Sequence, residues 1–92
     1  MGEKSEDRTK VKKVVLDILK LLDMPLVEFA RELNGLDNIR RVDLLVQEMD
    51  RKTETVKATV EGANINLELL RKKIEGMGGT IHSVDQVVTE KD

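Results

Sequence analysis

The chain contains no cysteine, tryptophan or tyrosine, and its single phenylalanine and single proline stand four residues apart at Phe29 and Pro25. Without cysteine there are no disulfides and no thiolate metal sites, so stability must come from packing. A protein without exposed rings offers bases nothing to stack on, and Phe29 reads as core, so nucleic acid is not an expected partner. No apolar run approaches the roughly 20 residues that cross a bilayer, and no membrane association is expected. Charge of one sign is missing too. Sixteen basic residues face 18 acidic ones, a formal net charge of −2 in a chain that is 37% charged. Dense, balanced charge of this kind belongs to solvated faces laced with ion pairs. The first ten residues are charged and lack the apolar segment of a signal peptide, so a cytoplasmic location is the expectation.

What is present is one unit used twice: an alternating apolar strand, an amphipathic helix and another strand. At 92 residues the chain suits one domain that buries only about 60–65% of its unfolded surface, so its core is thin and partner subunits are expected. Residues 1–10 read as a disordered polar tail, 11–89 as the domain and 90–92 as a frayed end. From Val11 to Leu22, Val14, Leu16 and Ile18 alternate with Lys13, Val15, Asp17 and Leu19, the period of a strand. Asp23-Met24-Pro25 signals a helix start. Leu26, Phe29, Ala30 and Leu33 then make one apolar stripe, and Gly35 offers a left-handed stop. Ile39 to Met49 alternates again, with Val46 on the core side, before a hairpin loop at residues 50–54 and a third strand from Thr55 to Glu61. Asn66 is placed as the cap of a second helix, with Ile65 set to pack on Leu70 and Gly78-Gly79 as its stop. In the last strand, Thr80 to Val88, Ile81 and Val84 fall out of phase, which points to a bulge near His82-Ser83 and leaves the face of His82 open.

The order β-α-β-β-α-β with right-handed crossovers gives an α+β, ferredoxin-like fold: a four-stranded antiparallel sheet with two helices on one face. The other face stays uncovered. Val15, Leu19, Leu45 and Met49 would lie there, and grouped apolar residues mark an association surface.

Several polar residues are candidates for a site. Asp17 stands mid-strand between apolar neighbours, as a ligand to a cation, a subunit-interface partner or a solvated side chain. His82, followed by Ser83 and Asp85, is the one side chain that ordinarily titrates near neutrality. A Ser/His/Asp catalytic reading fails, because consecutive strand residues point to opposite faces, and leaves ligand binding, an interface or a structural role. Asp17, Glu48 and Asp50 could offer hard oxygen donors, which suit calcium or magnesium, although the hairpin lacks EF-hand spacing and a solvated acidic rim is the plainer account. Arg71-Lys72-Lys73 lies beside Glu68 and Glu75 and reads as a solvated helix face.

The segments VVLDILK (14–20), EMDRKTETVKATVEG (48–62) and MGGTIHSVDQVV (77–88) resemble the archaeal domain-of-unknown-function family numbered 211. That resemblance implies a ferredoxin-like fold and ring-like homo-oligomers, and supplies no reaction. The expected function is a non-enzymatic, homo-oligomeric module binding a small ligand or cation near a subunit junction. The alternative is a small enzyme with an interfacial site that uses His82 or Asp17 for proton transfer.

Overall fold

In the computed structural model, which describes residues 8–91, the chain runs β1 (Thr9–Leu21), α1 (Leu26–Asn34), β2 (Ile39–Met49), β3 (Thr53–Gly62), α2 (Leu67–Gly76) and β4 (Gly79–Lys91). The strands form one sheet in the order β2-β3-β1-β4, and every neighbouring pair is antiparallel. Phe29 and Leu33 of α1 and Leu70 and Ile74 of α2 close onto Val14, Leu16, Ile18, Ala58 and Val60 in one cluster, so both helices cover the same face. This is the ferredoxin-like α+β plan. The expected tail at residues 1–10 lies largely outside the described residues, as does Asp92. Where the structure describes the ends, the sheet reaches further than polarity alone indicated, because Thr9 pairs with Lys91 and Lys10 with Glu90.

Several local expectations hold. Asn66 caps α2 by accepting N–H bonds from Glu68 at 3.0 Å and Leu69 at 3.1 Å, and Ile65 and Leu70 are both buried. Gly78 takes φ +86° and turns the chain into β4, a conformation that costs glycine nothing. Gly62 is needed for a different reason: a side chain there would overlap the carbonyl oxygen of Asn38, so β3 can end against that loop only without one.

Others are corrected. Gly35 is right-handed at φ −77°, and the left-handed residue of this connection is Asn38 at φ 69°. Pro25 precedes the first helical turn, with ψ 149°, and its carbonyl accepts the N–H of Phe29 at 3.0 Å. Asp50 Oδ1 accepts the N–H of Arg51 at 2.7 Å, and β3 begins at Thr53, so the hairpin loop is shorter than residues 50–54. Val46 is only partly buried, because β2 is an edge strand and its inward residues keep a solvent flank.

The covered face holds one feature that the apolar pattern concealed. Lys20 continues the alternation of Val14, Leu16 and Ile18 inward and is 1% exposed. Its ammonium donates to Glu54 Oε2 at 2.6 Å and to the Leu21 carbonyl at 2.9 Å, and lies 5.5 Å from the centre of the Phe29 ring. A buried cation is tolerated only with such partners.

Candidate functional site

The uncovered face is built by the residues between the core positions. Along β1 these are Lys13, Val15, Asp17 and Leu19, registered on β3 with Glu61, Thr59, Lys57 and Thr55. From β2, Arg41, Asp43 and Leu45 meet Glu61, Thr59 and Lys57. A register shift between Val46 and Glu48 then advances the alternation by one residue. Glu48 therefore sits opposite Thr55, on the same face as Asp17, while Met49 pairs with Glu54. The sequence pattern had placed Met49 with Leu45, and the bulge exchanges it for a carboxylate.

β4 is irregular where the sequence pointed to a bulge. Ile81 pairs with Ile18 and Ser83 with Asp17, leaving His82 as the extra residue. A second shift leaves Asp85 extra between Val84 and Gln86. Bulges re-aim side chains, and here His82 turns toward the uncovered face. Together with Asp17, Leu19, Glu48 and Thr55 it lines a hollow of about 310 Å³.

The candidate residues thus divide into three groups. Asp17, Glu48 and His82 share that hollow. Ser83 and Asp85 stand beside it and satisfy each other: Ser83 Oγ donates to Asp85 Oδ1 at 2.7 Å, and Lys57 Nζ lies 3.9 Å from Asp85 Oδ2. That bond commits Ser83 to Asp85 and not to His82. Asp50 belongs to an adjoining hollow of about 550 Å³ at the hairpin, which it shares with Glu48, Met49 and Glu54. Among the described residues, no three His, Cys, Asp or Glu side chains stand close enough together to hold a metal ion between them.

Asp17 is the outlier. Its residue is only half-buried, yet Oδ1 is shielded from solvent and has no hydrogen-bond partner. Lys57 is its neighbour on β3 and reaches Asp85 instead. A shielded carboxylate oxygen without a donor loses hydration and gains nothing in return. Around it the face is apolar and open: Leu19 is 47% and Leu45 59% exposed, with Val15 buried between strands.

Lys20 and Glu54 were missed as a pair. The signal was the period of two itself, which puts Lys20 on the core side two residues after Ile18.

Comparison with known proteins matches residues 12–92 to the family model of DUF211, described as "Uncharacterized ArCR". The chain is also similar to the uncharacterized protein MJ0319 of Methanocaldococcus jannaschii, with 43% identity over 81 residues, covering 88% of this chain and 84% of that protein. No helix among the described residues is long and apolar enough to cross a membrane.

Proposed function

The chain belongs to the DUF211 family, and from that premise we propose that it is a self-associating binding module whose uncovered sheet face holds a small hydrated cation over Asp17. The unpartnered Oδ1 of Asp17, a residue that lines one hollow with Glu48, carries this reading. Two carboxylates and no third make a site that leaves most of the coordination to water. This suits magnesium, which keeps several waters and takes one or two carboxylates, better than calcium, which wants six to eight oxygens. His82 and Thr55 border the hollow and would bond to the ion's waters.

Self-association rests on a separate observation. Leu19 and Leu45 project from a face that no helix covers, above a core of only one helical layer. Covering that face with a second copy would remove apolar surface from water and shield the ion site further.

Calorimetric titration of magnesium into metal-free protein tests the site. We expect binding that raises the melting temperature, since an ion bound only by the folded form must stabilise it, and we expect Asp17→Asn to abolish both effects. Absence of heat and of any melting shift at millimolar magnesium would remove the cation reading. An unchanged response in Asp17→Asn would remove Asp17 from it.

A further inference from the structure

Two strands break their alternation at the end of the sheet remote from Asp50, and each break falls on a pair of consecutive cations. β1 shifts register against β4 between Val11 and Lys13, which leaves Lys12 as the extra residue. β2 shifts against β3 between Ile39 and Arg41, which leaves Arg40 extra. In regular strands Lys12 and Lys13, like Arg40 and Arg41, would point to opposite faces. Here all four line one hollow of about 560 Å³.

The hollow is organised as well as basic. Glu61 of β3 is registered with both Lys13 and Arg41, so the three form a row across the sheet. Lys12 is tethered, its ammonium donating to the Ala63 carbonyl at 3.0 Å. Gly62, which also lines the hollow, adds no side chain to fill it. Four cations face the carboxylates of Glu61 and Glu90, a surplus of positive charge. That surplus is not consumed internally. Arg41 meets Asp43 only at 3.7 Å, and among the described residues neither Lys13 nor Arg40 has a carboxylate within ion-pair distance.

We propose that this hollow binds a small oxyanion carrying two or more negative charges, a polyphosphate or a polycarboxylate. The two guanidinium groups supply planar forks that match either oxyanion in pairs of hydrogen bonds, and the two ammonium groups add point charges. A volume of this size falls within the range of small-molecule sites. Lys13 and Asp17 are four residues apart on one strand, about 13 Å, so the anion hollow is separate from the cation hollow. The two readings stand or fall independently.

The test is calorimetric titration of inorganic triphosphate and of citrate into the full chain at about 50 mM salt, where charge is little screened. Either anion should bind, and the tighter of the two identifies phosphate or carboxylate as the natural chemistry. Arg40→Gln should weaken binding roughly tenfold, the loss of one charge-assisted contact, and Lys13→Gln by a similar factor. Arg40 is exposed and its replacement should leave the melting temperature unchanged, which keeps the result readable as binding. Asp17→Asn should bind both anions as the parent does. Absence of binding to both anions at millimolar concentration, affinity unchanged from the parent in the Arg40 and Lys13 variants, or tighter binding of a short duplex DNA than of either anion would overturn the proposal.

Discussion

On one side of β1, Val14, Leu16, Ile18 and Lys20 are all buried, and the one charge among them is bonded to Glu54 and to a backbone carbonyl. On the other side, Val15, Asp17 and Leu19 pass from buried through half-buried to 47% exposed, and a carboxylate oxygen is left without a donor. Both sides place a charged residue in an apolar row. What separates them is completion. The covered side answers its own charge, as a folding element must, whereas the uncovered side leaves its carboxylate oxygen without a donor and its leucines exposed. A polar residue among apolar ones is therefore not in itself a sign of function, and its hydrogen-bond partners decide the matter.

Phe29 is the largest fully buried apolar side chain of the covered side. Its ring is fully buried among both helices and the sheet and lies against the Lys20 ammonium, so Phe29→Ala should destabilise by about 3–5 kcal/mol in a denaturant melt. A variant that melts within a few degrees of the parent would show that the covered face is not where stability resides. Next comes Glu54→Gln, which keeps an acceptor for Lys20 but removes the opposite charge. We expect a loss of about 1.5–3 kcal/mol, the range for hydrogen bonds to charged groups. Replacing both partners, Lys20→Met with Glu54→Leu, should recover most of that loss, because a buried ion pair exchanged for packed apolar side chains is commonly near neutral.

Smaller effects belong to groups outside the core. Glu32 joins Lys73 across the two helices at 2.8 Å, but Glu32 is more than half exposed, so Glu32→Lys should change stability by less than about 1 kcal/mol. Asp17→Asn should change the stability of the metal-free protein least, by about 0.5 kcal/mol or less, while altering what the protein binds. A large destabilisation by Asp17→Asn, read in the same melts, would make Asp17 a structural residue and erase the contrast between the two sides.

How much of this was legible in the sequence follows from what each pattern encodes. The period of two in Val14, Leu16 and Ile18 and the stripe Leu26, Phe29, Ala30 and Leu33 fixed the elements and their inner faces, because burial of one face is what such spacing reports. Asn66 and Gly78 were legible because each meets a specific backbone need. The site was legible only in part. Asp17 and His82 stood out as residues, but their meeting with Glu48 depends on shifts of one residue in β2 and β4 that period-two reasoning cannot place. The same limit hid the four cations at the other end of the sheet, where regular alternation would have scattered them. Lys20 was hidden differently: its place in the period was plain, but its partner Glu54 is 34 residues away, and only the register of β1 on β3 joins them.

On the proposed reading, the uncovered face is where this protein meets other molecules, beginning with copies of itself. Light scattering coupled to gel filtration, applied to the parent and to Leu45→Glu, tests that claim most directly. Leu45 is 59% exposed and opposite Lys57, so the substitution leaves the core untouched and places a charge on the proposed contact. Self-association through this face predicts a parent mass several times 10.4 kDa that falls toward 10.4 kDa in Leu45→Glu at an unchanged far-ultraviolet spectrum. A parent that stays at 10.4 kDa across the micromolar range, or an assembly that Leu45→Glu leaves intact, would contradict it.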